Sequence, residues 1–261
     1  MAYTIAISNE KGGVAKTTTT MSLGAALAET GKRVLLIDLD PQANLTLASG
    51  LEITQDSVSS SNILIESAPL VNALHKTETE NIDIVPAHPN IESAEQYLPM
   101  RTNYISTMRR AINQALPLPY EFILFDCPPF LGAITQNALS AANLLIIPTQ
   151  AEFFSAYALR NMMGIIRRTR LESNPDLAYR ILITMLDRRN KTHRNVEEQL
   201  RNTFAQGLFE TVIEIDTKLR ESPIAGIPIT KYKSNTRGSK QYRVLAQELM
   251  EYVKEKDKQQ A

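Results

Sequence analysis

The stretch of sequence that decides the fold is SNEKGGVAKTT, residues 8–18, which lies between a short apolar segment and a predicted helix. Gly12 and Gly13 let the backbone turn tightly and direct its N–H groups inward. Lys16 adds a positive charge, and a helix that begins near Ala15 points its N-terminus toward the same place. The stretch therefore predicts a loop that binds phosphate groups.

The match to the standard phosphate-loop pattern, G-x-x-x-x-G-K-[ST], is imperfect because Glu10 and Ala15 stand where glycines are expected. A Gly-Gly turn beside a solvated lysine is the alternative interpretation. The order of strand, glycine turn and helix favours the phosphate loop, and Thr17 supplies the hydroxyl group that is expected on Mg²⁺.

Apolar segments recur along the chain with helical segments between them, at residues 3–8, 33–38, 82–86, 121–126, 143–148, 180–185 and 211–215. Segments such as VLLID and FILFD are apolar on both faces, as in parallel strands covered by helices on each side. We therefore predict an α/β fold of one domain, residues 1–261, with a doubly wound, mostly parallel sheet and helices on both faces.

Three boundaries within this domain follow from local composition. The first helix is expected to end before Gly31, placed just beyond its C-terminus. Residues 46–61 are polar and rich in serine, which predicts a loop-rich excursion on the surface. Residues 254–261 are expected to form a polar tail.

The composition excludes several classes of protein. A single cysteine, Cys127, rules out an intramolecular disulfide framework and an all-cysteine metal site, and we expect it to be a small buried core residue in a reducing cytoplasm. Lys plus Arg and Asp plus Glu number 28 each, so the net charge points to neither nucleic acid nor an acidic substrate. No apolar run approaches the roughly 20 residues of a membrane span.

Carboxylates stand at the ends of two apolar segments. Asp126 closes FILFD, so it is expected at the carboxyl edge of the sheet, where open α/β folds bind nucleotides, and would hold Mg²⁺ through water. Asp38 and Asp40 are two positions apart, which points both carboxylates to one side of an extended strand end. One of them can approach the metal or Lys16 while the other positions a water molecule; a role as a helix N-cap or as a turn-forming residue before Pro41 is the alternative for either.

The form KGGVAKT, residues 11–17, resembles the deviant Walker motif of the ParA/MinD family of P-loop ATPases. VLLIDLDPQ, residues 34–42, resembles the second acidic motif of that family, and FILFDCPP, residues 122–129, resembles its Walker B strand end. Residues 183–187 and 218–223 are similar to later landmarks of the partition branch. The resemblance covers nearly the whole chain, in the order of the family.

The resemblance implies an ATPase that is weak alone and stimulated by a partner, with ATP and Mg²⁺ as cofactors. It implies an ATP-dependent homodimer, non-specific binding to double-stranded DNA, a ParB-like or cargo-adaptor protein as partner, and a cytoplasmic location on the nucleoid. The cargo, a chromosome, a plasmid or a large protein assembly, is not identified by the sequence.

The resemblance also implies roles for individual residues. Lys11 would reach across a dimer interface to the nucleotide of the partner. The alternative is a surface lysine near an anionic ligand that contributes only to the local electric field. Asp40 would position the attacking water and Asp38 would lie in the outer shell of the metal. The implied catalytic set is Lys11, Lys16 and Asp40. The implied metal set is Thr17, Asp38 and Asp126. The implied nucleotide-binding set is Lys11, Gly12, Gly13, Val14, Ala15, Lys16, Thr17, Thr18, Met185 and Asp187.

Adenine is favoured over guanine as the base. A common GTPase uses an Asn-Lys-x-Asp element, but in the segment that begins at Asn190 the fourth position is His193, which lacks the two acceptor oxygens that bind the guanine edge. By family analogy the base would lie near residues 184–187 and 215–216.

The neutral total conceals clusters of positive charge on three segments. Residues 231–243 carry five basic residues and no acidic one, residues 188–194 carry a second cluster that includes Arg188, and residues 218–220 carry a third. Such clusters predict a footprint for phosphate backbones, with a solvated basic face as the alternative. In the partition branch, the positions of Arg189 and Lys218 belong to a DNA-binding surface. The predicted DNA-binding residues are Arg189, Lys218, Arg220, Lys231, Lys233, Arg237, Lys240 and Arg243.

Three other functions are alternatives to the one that this resemblance implies. A MinD-like membrane-associated ATPase needs a C-terminal amphipathic anchor, and residues 254–261 have no apolar face, so we expect no membrane binding. A metabolic ATP-dependent enzyme needs a dedicated acceptor pocket. A module that binds ATP without hydrolysis is disfavoured by the complete set of lysines and aspartates.

Overall fold

The fold is built on one mixed sheet at its centre, in a computed structural model that describes residues 2–54, 56–152 and 155–260. Within these residues the sheet has seven strands in the order β3-β4-β2-β5-β1-β6-β7. The strands are β1 (Tyr3–Ile7), β2 (Val34–Asp38), β3 (His75–Lys76), β4 (Ile82–Val85), β5 (Phe122–Asp126), β6 (Leu144–Gln150) and β7 (Ala178–Thr184). All neighbours pair in parallel except β3, which runs antiparallel to β4 at one edge. The predicted α/β fold is confirmed.

Helices cover both faces of this sheet. They are α1 (Lys16–Glu29), α2 (Asn44–Ala48), α3 (Ala94–Tyr97), α4 (Thr107–Gln114), α5 (Ala133–Ala141), α6 (Ser155–Glu172), α7 (Lys191–Phe204), α8 (Lys218–Ile224), α9 (Ile229–Tyr232) and α10 (Arg237–Gln260). Side chains alternate along β2, so that Leu36 belongs to the apolar cluster that includes residues of α1 and α10, while Leu35 and Ile37 belong to the cluster on the other face that includes residues of α4, α5 and α6. Gly31 has φ +83°, as expected for a residue just beyond the end of α1.

The prediction of a strand at residues 211–215 is wrong. This segment lies beside the end of β7, where the N–H of Ile213 donates to the carbonyl of Ile183 at 2.9 Å and the N–H of Ile215 donates to the carbonyl of Leu186 at 3.1 Å. These contacts make only isolated bridges. The segment is apolar because Val212 and Ile213 are buried, not because it pairs along its length.

Residues 46–61 differ from the expected surface excursion. Thr46 lies in α2 and is buried, and Ser59, Ser60 and Ser61 are buried at the other end. Their polar groups bond inside the protein, since Ser60 Oγ donates to the carbonyl of Asp38 at 2.6 Å. The residues around Glu52 are at least partly exposed, and Gln55 lies outside the described residues.

The predicted polar tail continues α10 through Gln260, and Ala261 lies outside the described residues. The apolar side of α10 is provided earlier in the helix by Leu245 and Leu249, which are buried against α1. In the part of the chain that the structure describes, no helix is long and apolar enough to cross a membrane.

Candidate nucleotide-binding site

The phosphate loop connects β1 to α1, as predicted. Gly13 and Ala15 both have left-handed backbone conformations, with φ +72° and +67°. Glycine adopts this conformation freely, whereas at Ala15 it costs on the order of 1 kcal/mol or more. Ala15 occupies the position at which the standard pattern has glycine, so the backbone keeps the shape of the standard loop despite the substitution. An added side chain at Gly12 would meet nothing within 4 Å, so the loop faces open space.

Three polar side chains hold the loop in this shape, and sequence analysis did not assign them. Asn9 is buried; its Nδ2 donates to the carbonyl of Pro148 at 2.8 Å, and its Oδ1 accepts from the N–H of Lys11 at 3.0 Å. Thr184 Oγ1 donates to the carbonyl of Val14 at 3.1 Å, and Gln150 Nε2 donates to the carbonyl of Gly13 at 3.2 Å. Thr184 and Gln150 are polar ends of apolar strands, which is the signal that marked Asp126.

Beside the loop lies a cavity of about 390 Å³, a size that fits a small-molecule ligand. Its lining includes most of the predicted nucleotide-binding residues and Asp40, together with residues of five other segments that were not assigned to it. The predicted residues in the lining are Gly12, Gly13, Ala15, Lys16, Thr17, Thr18, Asp40 and Met185. The residues not assigned to nucleotide binding include Gln42, Asn44, Pro129, Ile213, Glu214, Leu219, Arg220 and Tyr242. Val14 is not in the lining, because its side chain is buried beneath the loop.

The carboxyl ends of three strands meet at the floor of this site, since Asp126 on β5 is in register with Ile7 on β1 and with Asp38 on β2. Asp126 is fully buried, and its Oδ2 accepts from Thr17 Oγ1 at 2.6 Å. Burial, with the nearby Asp38 carboxylate adding to it, raises the pKa of Asp126 well above its usual value. Burial also lowers the pKa of Lys16, against the opposing effect of Asp126 and Asp40.

Asp38 and Asp40 occupy different environments. Both oxygens of Asp38 accept hydrogen bonds: Oδ2 from the N–H and the hydroxyl of Thr46 at 2.9 and 2.8 Å, and Oδ1 from the N–H of Asp40 at 3.1 Å. Its burial raises its pKa to about 6. Asp38 therefore holds the turn between β2 and α2, whereas Asp40 lines the cavity and uses one oxygen to accept from the N–H of Gln42.

The oxygen donors of this site fit Mg²⁺. Thr17 and Asp40 line the cavity beside Lys16, and Asp126 is buried behind Thr17, whose hydroxyl donates to it. Hard oxygen ligands of this kind, few in number and accompanied by phosphate oxygens, are those that Mg²⁺ uses in nucleotide sites.

Lys11 does not line the cavity. Its Nζ lies 2.5 Å from Glu152 Oε2 and 3.1 Å from Gln150 Oε1, on a neighbouring face that includes Phe130 and Tyr157. Glu152 and Tyr157 are exposed there. The ammonium group of Lys11 is thus held by Gln150 and Glu152, outside the lining of the nucleotide cavity of its own chain.

Asp187 is also outside the cavity lining, so its predicted contact with the nucleotide is not supported. Its carboxylate accepts three hydrogen bonds from Arg189, two of them from the guanidinium group at 3.0 and 2.9 Å. These bonds lower the pKa of Asp187 to about 2. The side chain of Arg189 is 91% exposed, so this pair lies on the surface.

Most of the predicted DNA-binding residues are exposed. We call the whole predicted set, together with Arg188, the basic surface. Several of them bond to acidic residues: Lys218 to Glu221 in the same helix, and Arg237 to Glu214 and Arg243 to Glu29 from other segments. Lys231 bonds to the carbonyl of Glu78. Within the described ranges, Lys233 and Lys240 are exposed and make no ion pair.

Two members of the predicted set have other contacts. Arg220 lines the nucleotide cavity. Its closeness to Lys218 in sequence had placed it in the DNA-binding set instead. Arg243 binds both oxygens of Glu29 and also donates to the carbonyl and hydroxyl of Ser234. This places Arg243 in a structural contact between α10 and α1. The expectation that it lies on an open DNA-binding face is not supported.

Comparisons with known proteins agree with this geometry. A family model described as an AAA domain matches residues 2–179. The sporulation initiation inhibitor protein Soj of Bacillus subtilis is 38% identical over 250 residues, which are 95% of this chain and 98% of Soj. The chromosome partitioning protein ParA of Caulobacter vibrioides is 37% identical over 257 residues, which are 98% of this chain and 96% of that protein.

A solved structure resembles the whole chain. Cobyrinic acid a,c-diamide synthase from Mycobacterium smegmatis, with bound ADP and magnesium, is 33% identical with a TM-score of 0.81, and the match covers 97% of this chain and 96% of that one. The same protein with a bound ATP analogue and magnesium gives the same values.

The loop between β1 and α1, with a buried carboxylate at the end of the adjacent strand β5, defines a P-loop nucleoside triphosphatase. Lys11 before the paired glycines distinguishes the loop from the standard form. The chain belongs to the ParA/MinD family of this class.

Proposed function

We propose that this protein is a ParA-type ATPase that forms an ATP-dependent homodimer, binds nucleoid DNA without sequence preference, and positions a cargo through partner-stimulated hydrolysis. The observation that supports the proposal is the different placement of two lysines. Lys16 lines the nucleotide cavity, whereas Lys11 is outside the lining and bonds to Glu152. A single chain has one phosphate-binding lysine in place, and the second is available to another chain.

ATP and Mg²⁺ fit the cavity. Lys16 and the inward N–H groups of the phosphate loop would bind the β- and γ-phosphates, and Thr17 and Asp126 would hold the metal, with Asp38 supporting from the outer shell. When bound, Mg²⁺ neutralises charge that develops on the phosphates. Asp40, one of whose carboxylate oxygens has no hydrogen-bond partner among the described residues, would orient the attacking water.

Lys11 would complete the site of a partner protomer, in a role comparable to that of an arginine finger. Because this charge arrives only with a second chain, ATP binding and dimerisation are linked thermodynamically. Gln150 and Glu152 hold the ammonium group in the single chain, so dimerisation would exchange these acceptors for phosphate oxygens.

The basic surface would bind DNA through its phosphates, which gives little sequence preference. A dimer presents twice as many of these residues as a monomer, so DNA affinity rises steeply with ATP-driven dimerisation. A ParB-like or cargo-adaptor protein would stimulate hydrolysis and so release the protein from DNA. Association with the nucleoid follows from the same contacts.

DNA binding as a function of salt tests this proposal. If about three residues of each protomer contact phosphates, log affinity for a random duplex should fall with log salt at a slope near −5 with ATP. Binding should be lost without ATP or with ADP. A protein that fails to shift the duplex at low salt with ATP, or that prefers anionic vesicles, would contradict the DNA function.

A second candidate function is that of a metabolic ATP-dependent enzyme, favoured by the likeness to the Mycobacterium smegmatis synthase. Such an enzyme would turn over ATP when given a small acceptor molecule, and DNA or an adaptor protein would not stimulate it. Stimulation by DNA together with the product of an adjacent gene would support the partition function.

A further inference from the structure

Glu214 lies in the wall of the nucleotide cavity and binds two arginines from different elements. Its Oε1 accepts from Arg188 Nε at 2.8 Å, and its Oε2 accepts from Arg237 Nη1 at 2.7 Å. Arg188 belongs to the loop after β7, and Arg237 begins α10. The Glu214 side chain is only 14% exposed, so the carboxylate is held from both sides by guanidinium groups.

The two arginines, in contrast, face solvent on the basic surface. Their side chains are 55% and 62% exposed, respectively. A guanidinium group binds a carboxylate and a phosphate through the same charge-assisted hydrogen bonds. The carboxylate of Glu214 therefore offers Arg188 and Arg237 the kind of contact that a DNA phosphate would offer, and it reduces their combined charge from two to one.

We propose that Glu214 is an internal competitor for DNA phosphate, which holds Arg188 and Arg237 against the protein and so limits the DNA affinity of the basic surface. This inference rests on the DNA binding of the proposed function. Arg237 carries most of the effect, because Arg188 has a second acidic neighbour, Glu197, at 3.7 Å, whereas Glu214 is the ion-pair partner of Arg237 within the described ranges.

The position of Glu214 also couples its hold on the two arginines to the nucleotide cavity. Ile213, Ile215 and Asp216, its neighbours in the chain, line the cavity as well. The N–H of Glu214 donates to Gln241 Oε1 on α10 at 2.9 Å. A ligand that moves the segment 213–216 therefore moves the carboxylate relative to both arginines. By linkage, DNA that draws the arginines away acts back on the same cavity wall.

Glu214→Gln tests the inference, with Glu210→Gln as a matched control. Glu210 is in the same segment and its side chain is 87% exposed, and it pairs with Arg201. Both variants remove one negative charge, but only the first removes the acceptor shared by Arg188 and Arg237. Binding of a random DNA duplex by the full-length protein with ATP is measured over a range of salt, and ATP affinity is measured in parallel.

Glu214→Gln is expected to bind DNA about tenfold more tightly than Glu210→Gln, with a salt slope steeper by about 2 per dimer, since each protomer releases Arg237. Adding Arg237→Ala should remove this gain. Affinity within twofold of Glu210→Gln, weaker binding, or a gain that survives Arg237→Ala would overturn the inference. A wild-type protein that does not bind DNA at all would instead refute the proposed function.

Glu214→Asp separates geometry from charge and serves if the glutamine variant does not fold. The shorter side chain keeps its charge but cannot reach both arginines from the same backbone position. It should raise DNA affinity above that of the wild type by a smaller factor, about twofold to fivefold. An unchanged or lower affinity in a folded Glu214→Asp protein would also count against the inference.

Discussion

The phosphate loop and the basic surface surround their positive charges in opposite ways. Lys16 is 8% exposed and lies among buried aspartates that belong to the same site. Arg189 is 91% exposed and pairs with an aspartate two residues away. A buried charge depends on a fixed set of neighbours, whereas an exposed charge is screened and can change partners. Substitutions at the phosphate loop and its aspartates should therefore abolish ATP binding or turnover. Substitutions on the basic surface should change the DNA affinity gradually.

The largest expected effect is that of Asp40→Ala. Loss of the carboxylate that we propose orients the attacking water should lower ATP turnover by about 10²–10⁴-fold while ATP binding is retained. Light scattering after chromatography should show a dimer that persists in ATP. Asp56→Ala is the control, because Asp56 is an exposed aspartate outside the cavity lining. ATP turnover at the wild-type rate would contradict the role of Asp40.

Lys16→Ala should weaken ATP binding by about 100-fold, because it removes a buried charged donor that faces the phosphates. Isothermal titration with ATP and Mg²⁺ measures this. Lys32→Ala is the control, since Lys32 is an exposed lysine that pairs with Glu121 at the opposite end of the sheet. Wild-type ATP affinity in Lys16→Ala would show that the phosphate loop does not bind ATP through this lysine.

On the basic surface, Arg189→Ala with Lys218→Ala should weaken DNA binding by about tenfold and reduce the salt slope by up to about 4 per dimer. Both residues have acidic partners, Asp187 and Glu221, which are exposed enough to release them. Basal ATPase activity should stay unchanged. An unaltered slope would show that DNA contacts other residues.

The smallest effect is expected at the face that carries Lys11 and Glu152. Glu152→Gln removes the charged partner of Lys11, and a solvent-exposed pair is worth about 0.2–1 kcal/mol, so the ATP dimer should tighten by about twofold to fivefold. Sedimentation equilibrium in the Asp40→Ala background measures the dimer. Glu172→Gln breaks the exposed pair with Arg168 on α6 and should leave dimerisation as it was. Equal dimer stability in both variants would mean that Glu152 does not restrain Lys11.

Sequence alone predicted the parts of the site that are determined locally. The loop follows from consecutive residues, and the position of Asp126 follows from the apolar strand before it. The orientation of Asp187 was not predictable in this way, because its carboxylate accepts hydrogen bonds from Arg189 at the surface. The strand expected at 211–215 failed for a related reason, since burial alone made the segment apolar.

The acidic partners of the basic surface were missed because they lie far away in the chain. Glu29 and Glu214 approach Arg243 and Arg237 only once α10 packs against α1 and beside the end of β7. A segment without acidic residues in sequence therefore has carboxylates around it in space. Charge clusters in a sequence locate a surface, but the free charge on that surface depends on the fold.

The buried ends of residues 46–61 restrict where a fluorescent label can be placed for imaging. This polar stretch resembles a convenient insertion point, yet Thr46 bonds to Asp38 and also accepts from the N–H of Ala87. A label joined near Thr46 or Ser60 would pull on the strand end that supports Asp40. At Glu52, which is exposed, a label would report on the protein without disturbing the site it is meant to follow.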